Sequence, residues 1–92
     1  MSHDPLEITS LEDSTYSTRV ASLNGETQLT LRLVDVDQVT DGRLADDEAT
    51  ARATFEFLLE HQDAADLPPQ TEIEQVVAAY GNALDRIEEL RG

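Results

Sequence analysis

Hydrophobic and polar residues alternate along two neighbouring segments in the first half of the chain, about 15–23 and 26–34. An alternation with a period of two residues is typical of a β-strand that buries one face. Asn24-Gly25 lies between the two segments and is the strongest short-range signal for a two-residue hairpin turn. A type I′ turn at these residues would pair Leu23 with Glu26. The pattern therefore predicts an antiparallel β-hairpin over 15–34.

The predicted register places the large apolar side chains of the hairpin, except Leu23 and Val34, on one face. It pairs Val20 with Leu29, Thr18 with Leu31, and Tyr16 with Leu33. The opposite face carries Arg19, Ser17, Gln28, Thr30 and Arg32. Because a two-stranded hairpin is marginally stable in water, its apolar face must be covered by another element.

The segment before the hairpin predicts a further strand. Leu6-Glu7-Ile8-Thr9 alternates, so a strand over about 6–10 would convert the hairpin into a three-stranded meander. Residues 1–5 carry no pattern, and we expect them to form a disordered tail on a single domain that spans 1–92. Beyond Val34, acidic residues replace leucine on the apolar face. The last strand should therefore end or bulge near Asp35, with a turn over 40–43.

The spacing of apolar residues changes to that of an α-helix over about 47–62. Asp46 and Asp47 are both suitable N-caps for this helix. One apolar stripe contains Ala51, Phe55, Leu58, Leu59 and Gln62, and a second contains Ala49, Ala53 and Phe57. A helix that is apolar on two sides usually lies between two other elements. We expect the second stripe to contact either the following helix or another subunit.

A second helix is predicted over about 72–90, after a break at Leu67-Pro68-Pro69. Thr71 and Glu74 match a capping box. Six apolar residues keep one helical phase, which favours a continuous helix in spite of Gly81-Asn82: Ile73, Val76, Val77, Tyr80, Leu84 and Ile87. The alternative is a break at Gly81, with Asn82 capping a short further helix. The complete pattern predicts an α+β fold, a hairpin or meander followed by two helices.

The predicted core unites the apolar face of the hairpin with the apolar stripes of the two helices. Its members are Tyr16, Val20, Leu29, Leu31, Leu33, Phe55, Leu58, Leu59, Ile73, Val77, Tyr80, Leu84 and Ile87.

The charge balance is extreme. Twenty acidic residues oppose six basic ones, all of them arginine, and the net charge is −14. Lysine combines a long apolar stem with a strongly hydrated ammonium, whereas arginine carries rigid donors that suit carboxylate neighbours. Near-molar salt, in which the Debye length is about 3 Å, screens the repulsion within such a surface. We interpret the composition as that of a halophilic protein, so that the acidity reflects the solvent rather than a function.

Two segments of the latter half, 40–55 (TDGRLADDEATARATF) and 61–68 (HQDAADLP), resemble segments of small, acidic, uncharacterised haloarchaeal proteins. The region in which this resemblance is found covers roughly half of the chain. It contains no catalytic motif. The resemblance therefore implies a haloarchaeal source and no activity.

Few residues offer the chemistry of an active or metal site. His61 with Glu60, Asp63 and Asp66 has metal-ligand chemistry, but a histidine at the end of a helix also satisfies the last carbonyls. His3 lies in the predicted tail. Cysteine is absent, and the chain has no nucleophile elbow, phosphate-binding glycine loop or dinucleotide fingerprint. We expect no enzyme activity, metal, cofactor or small-molecule substrate.

The remaining interpretation is a non-catalytic protein-interaction module with a protein partner or a homodimeric state. Its candidate interaction surface consists of Ala49, Ala53, Phe57, Arg19 and Arg32. The alternative is a small transcriptional regulator or antitoxin-like protein associated with nucleic acid, for which Arg19 and Arg32 would form a small basic patch. An enzyme is the least favoured class. The chain has neither a signal peptide nor an apolar run of membrane-spanning length, so we expect a cytoplasmic location without membrane attachment.

Overall fold

The computed structural model describes residues 7–22 and 25–91 and has the α+β fold that the sequence predicts. The predicted tail over 1–5, Leu6, Leu23 and Asn24 lie outside these residues. The described strands are β1 (Thr9–Ser10), β2 (Thr15–Ser22), β3 (Gly25–Arg32) and β4 (Gln70–Glu72). The described α-helices are α1 (Val36–Val39), α2 (Glu48–His61), α3 (Ile73–Ala79) and α4 (Ala83–Arg91), with a 3₁₀ turn at Ala64–Asp66.

The four described strands form one sheet in the order β1-β2-β3-β4. The first three are antiparallel neighbours, which confirms the predicted meander, although β1 is shorter than the predicted strand over 6–10. β4 was not predicted, and it runs parallel to β3 at the edge of the sheet. It follows Pro68-Pro69, and the backbone N–H of Thr30 donates to the carbonyl of Pro69 at 2.9 Å.

The predicted hairpin register is wrong by two residues. Val20 lies opposite Thr27 rather than Leu29, and Glu26 lies opposite Ala21 rather than Leu23. Thr18 likewise pairs with Leu29, and Tyr16 with Leu31. Gly25 pairs with Ser22 and has φ +106°, whereas Asn24, the other residue of the predicted turn, lies outside the described residues. Because side chains alternate with a period of two, a shift of two residues keeps every side chain on its predicted face.

The inner face of the sheet lies against the helices and forms the core. Tyr16, Thr18, Leu29, Leu31 and Leu33 are buried on the hairpin side. Eight predicted core residues are buried, and Val20, Leu59, Val77, Tyr80 and Leu84 are half-buried against the same cluster. Four residues that the predicted core list omits join the core from short elements and connections: Val36, Leu44, Ala64 and Leu67. The list also omits five buried residues of the longer helices: Ala51, Ala53, Phe57, Val76 and Ala83.

Leu31 occupies a central site in this core and is completely buried. The Leu31→Ala substitution should lower the free energy of unfolding by about 2–5 kcal/mol, because it removes buried methyl groups and leaves a cavity. The matched control is Gln28→Ala, at an exposed position on the same strand, which should change stability by less than about 0.5 kcal/mol. Urea denaturation in molar KCl measures both. Equal effects of the two substitutions would show that this face is not the buried one.

The connection from β3 to α2 contains a helical turn that the sequence pattern did not reveal. β3 ends at Arg32, Asp35 has φ +58°, and α1 begins at Val36. The buried Thr40 hydroxyl donates to the carbonyl of Val36 at 2.6 Å and accepts from the N–H of Leu44 at 3.1 Å. Thr40 therefore fixes the predicted turn over 40–43 to both of its flanks.

α2 begins where the sequence predicts, after Asp47. The Asp47 carboxylate accepts a hydrogen bond from the Thr50 N–H at 2.8 Å and from Arg91 on α4 at 2.6 Å. Burial alone would raise the pKa of this carboxyl group, but these hydrogen bonds outweigh it and lower the pKa. Asp47 therefore caps α2 and joins it to α4 as a carboxylate.

The predicted continuous second helix is wrong, and the alternative break at Gly81 is correct. α3 ends at Ala79, Tyr80 is extended, and α4 begins at Ala83. The predicted Thr71–Glu74 capping box is also displaced by one residue, since the N–H of Glu72 donates to Gln75 Oε1 at 3.3 Å. The break lets α4 pack against α2 while α3 packs against α1. Within the described part of the chain, no helix is long and apolar enough to cross a membrane.

Candidate functional site

An apolar groove of about 330 Å³ lies between the end of α2, the proline loop and α3. We call it the uncharged groove, because none of its nine lining residues carries a charge. Three buried side chains form its floor: Leu58, Leu67 and Val76. Six more exposed residues form its rim: Gln62, Pro68, Thr71, Gln75, Ala79 and Tyr80. A concave apolar floor with a few polar groups at its edge is the usual form of a binding site.

The groove exists because α3 is short and a proline loop separates it from α2. Leu67 and Pro68 cannot continue a helix, so the chain passes through an extended segment before α3 begins at Ile73. Gln75 accepts from the N–H of Glu72 through Oε1. Its side-chain NH₂ remains a donor at the rim.

Three aromatic rings hold one wall of the groove in position. The Tyr80 ring meets the Phe57 ring edge-on, with 5.2 Å between the centroids, and lies 4.8 Å from the His61 ring. His61 Nδ1 lies 3.0 Å from the Phe57 carbonyl oxygen. Edge-to-face contacts of this kind favour a fixed ring orientation. Tyr80 therefore presents an ordered surface to any bound group.

The absence of charge in the groove contrasts with two other concave sites in the described part of the chain. One of them, of about 130 Å³, is lined by Arg32, Asp35, Glu72 and Glu74 among others. The other, of about 570 Å³, lies on the sheet and includes Arg19 and Glu26. Charged residues are depleted at the centres of protein interfaces, so the uncharged groove has the composition of such a centre.

The predicted interaction surface divides into two parts, and neither of them lines the groove. Ala53 and Phe57 are completely buried inside the chain, and Ala49 is half-buried. The interpretation of this stripe as a surface is therefore corrected: α4 packs against α2, and Ala53 and Phe57 belong to the hydrophobic core of the chain itself. Arg19 and Arg32 share the face of the sheet that points away from the helices, but Arg32 lies opposite Thr15, four residues along the strand from Arg19.

The arginines of the chain are largely neutralised by carboxylates. Five form ion pairs: Arg19 with Glu26, Arg32 with Glu72, Arg43 with Asp85 and Glu88, Arg86 with Glu60 and Glu89, and Arg91 with Asp47. Arg52 is half-buried, and its Nε has no hydrogen-bond partner. Nucleic-acid binding requires cations that are free to neutralise phosphates. The described arginines form no such group.

The predicted metal candidates do not converge. The described residues contain no group of three or more histidine, aspartate or glutamate side chains that could hold a metal ion. His61 belongs to the aromatic cluster, Glu60 pairs with Arg86, and Asp63 accepts from the N–H of Ala65 at 2.9 Å. Each of these three side chains is therefore held by a different contact within the chain, and they do not point to one common site.

A polar cluster on the inner side of the β1–β2 turn also has a structural role. Ser14 and Tyr16 both donate to Asp46, Tyr16 at 2.7 Å, and so tie the turn to the start of α2. Burial and the Asp46 hydrogen bond raise the pKa of Tyr16 to about 12. Asp13 and Ser14 have φ of +57° and +60°, a conformation that the Ser14–Asp46 hydrogen bond helps to hold. No histidine contacts Ser14 among the described hydrogen bonds.

Comparisons of the chain with protein families, with curated proteins and with solved structures find no significant match. The groove itself could not be found from the sequence pattern. Its residues come from α2, the proline loop, β4 and α3, and their only shared signal is the absence of charge from a stretch that is otherwise rich in acids.

Proposed function

We propose that the chain is a non-catalytic protein-interaction module from the cytoplasm of a halophile, and that the uncharged groove binds an apolar side chain of a partner protein. One observation carries this proposal. On a chain with a net charge of −14, a concave site has a floor of leucine and valine and no charged residue in its lining.

The solvent that the composition indicates favours recognition of this kind. Molar salt screens interactions between exposed charges, so ion pairs at a protein surface contribute little to affinity. Salts whose anions are excluded from the protein surface strengthen the burial of apolar groups. A halophilic protein is therefore expected to recognise its partner through apolar contacts.

The shape and polarity of the groove favour a short segment of a different protein as its occupant. The floor suits a leucine- or phenylalanine-sized side chain, and Gln62 and Gln75 offer amide groups to the backbone beside it. The large exposed hydrophobic residues that the structure describes on this chain are Leu11 and Val34, which are 47% and 41% exposed. The chain itself covers more than half of each side chain, so neither can serve as the apolar anchor that a second copy would insert into the groove.

The ion pairs of the arginines favour a protein partner over the alternative of a nucleic-acid-associated regulator. Arg19 and Arg32, which would form the basic patch of a regulator, each pair with a glutamate on the same face of the sheet. A phosphate backbone would have to displace those glutamates before it reached either arginine.

A titration with two small probes tests the site. N-acetyl-leucinamide and N-acetyl-phenylalaninamide each combine an apolar side chain with backbone-like amides. In ¹H–¹⁵N spectra recorded in molar KCl, we expect saturable shifts at Leu67, Val76 and Ala79. The Ala79→Glu substitution should weaken binding by about tenfold or more, because it places a charge on the rim of an apolar site.

Ala78→Glu is the matched control. Ala78 and Ala79 are adjacent, both exposed and both at the end of α3, but only Ala79 lines the groove. Ala78→Glu should leave binding within about twofold of the wild type. Shifts that are absent, or that respond equally to the two substitutions, would refute the proposed site.

A further inference from the structure

The edge of the sheet beside the uncharged groove has backbone groups that point away from the sheet. β4 is the last strand in the order of the described sheet, and β3 is its neighbour there. The N–H of Thr30 donates to the carbonyl of Pro69, so the ladder of this parallel pair uses the backbone groups of Pro69 and Thr71. The N–H and C=O groups of Gln70 and Glu72 therefore point away from β3, towards the open edge.

Gln70 is the residue of β4 that can pair with an added strand. The N–H of Glu72 already donates to Gln75 Oε1 at 3.3 Å, and Glu72 is the N-cap of α3. Pro68 and Pro69, which precede β4, have no N–H. Gln70 is exposed, and no loop or side-chain hydrogen bond described for the chain uses its N–H or C=O. The open edge of β4 therefore offers one backbone donor and one acceptor, both on Gln70.

The uncharged groove borders this edge. Leu67, Pro68 and Thr71 line the groove, and they belong to the segment that leads into β4 and forms it. Thr71 is aligned with the buried Leu31, so its side chain lies on the inner face of the sheet, and that of Gln70 lies on the outer face. A strand beside β4 would continue this alternation. Its residue beside Gln70 would point outwards, and its residue beside Thr71 would point to the groove.

We infer that the partner segment of the uncharged groove binds in an extended conformation, as an added strand beside β4, with its apolar side chain in the groove. This inference rests on the proposed function of the groove. The backbone of the segment accepts from the N–H of Gln70 and donates to its carbonyl, which both strand directions allow. In strand addition, main-chain hydrogen bonds supply affinity and the pocket selects the side chain. The partner segment therefore has polar residues on both sides of a leucine or phenylalanine.

The opposite edge of the sheet lacks an apolar groove. β1 also has an outward N–H, that of Ser10, because the ladder bonds of an antiparallel pair alternate from the bond between Leu11 and Thr15. The concave site at β1 has charged residues in its lining, Glu7 and Arg19 among them. An apolar side chain bound there would remove water from these charges. Ser10 is therefore an internal control for unspecific pairing with a sheet edge.

Solvent exchange of backbone amides in the full chain tests the inference without any substitution. The probe is the pentapeptide acetyl-Thr-Thr-Leu-Thr-Thr-amide in molar KCl. At saturation, exchange of the Gln70 N–H should slow by about tenfold or more, and exchange of the Ser10 N–H should not change. N-acetyl-leucinamide fills the groove but is too short to lie along β4. It should therefore protect the Gln70 N–H much less.

The affinities of the two probes provide a second measurement. The pentapeptide should bind about tenfold more tightly than N-acetyl-leucinamide, because it adds two backbone hydrogen bonds. Gln70→Pro removes the N–H and should abolish this difference. Gln70→Ala is the matched control, since it removes the side chain but keeps the N–H, and it should preserve the difference. Circular dichroism checks that each variant is folded, and the exchange measurement decides the question if Gln70→Pro is not.

Three results would overturn the inference: unchanged exchange of the Gln70 N–H at saturating pentapeptide, equal slowing at Ser10, or a difference in affinity that survives Gln70→Pro. If N-acetyl-leucinamide still binds in the groove, such a result refutes strand addition alone and leaves the proposed function intact. If neither probe binds, both proposals are refuted.

Discussion

The Phe57→Asp variant is expected not to fold. Phe57 is completely buried, and its ring contacts Tyr80 and His61. Removing a buried phenylalanine side chain costs about 3–5 kcal/mol, and burying a carboxylate in its place adds a further cost. A domain of this size has roughly 5 kcal/mol of stability in total. Circular dichroism in molar KCl should therefore show loss of the helical signal.

Ala78→Asp provides the comparison, since it introduces the same residue at an exposed helical position. It should leave the spectrum and the melting temperature nearly unchanged. A folded Phe57→Asp protein with the melting temperature of the wild type would contradict the burial of Phe57 in the core.

Folding is also expected to depend strongly on salt. Residues 46–92 contain twelve acids and three arginines, a net charge of −9, within the part of the chain that forms α2, α3 and α4. At about 0.1 M ionic strength, the Debye length is about 10 Å, so these charges repel one another across the domain. Each like-charged pair costs a few tenths of a kcal/mol, and the sum is comparable with the total stability.

The ion pairs offset only part of this repulsion. Five arginines share seven carboxylates, so the paired groups alone retain a charge of −2. As KCl is diluted from molar to tens of millimolar at neutral pH, we expect the melting temperature to fall steeply or the helices to melt. A melting temperature that stays constant through the dilution would refute the halophilic interpretation, and the acidic surface would then require a functional explanation.

The hairpin shows what a sequence pattern can and cannot determine. The alternation of residues correctly predicts that Tyr16, Leu29 and Leu31 share a buried face. It cannot distinguish registers that differ by two residues, because both place the same side chains on the same faces. The Asn-Gly signal favoured the wrong register, because Gly25 is itself a strand residue that pairs with Ser22.

The second helix and β4 show the limits of periodicity over short segments. Val76 and Ile87 keep one helical phase through Gly81, so the pattern gives no sign that the chain changes direction there. β4 has three residues, too few for an alternation to be recognised, and its place beside β3 depends on the tertiary fold. The uncharged groove depends on the break after α3 and on β4, so the sequence pattern could not predict it.

Site-specific photocrosslinking tests the proposed function most directly. A photoactivatable amino acid is placed at position 79 in one sample and at position 78 in another, and each full-length protein is irradiated in a lysate of the source organism in molar KCl. The proposal predicts a protein adduct from position 79 that resists nuclease, forms through a leucine- or phenylalanine-containing segment, and is absent from position 78. Identical products from both positions, or an adduct that nuclease removes, would contradict it.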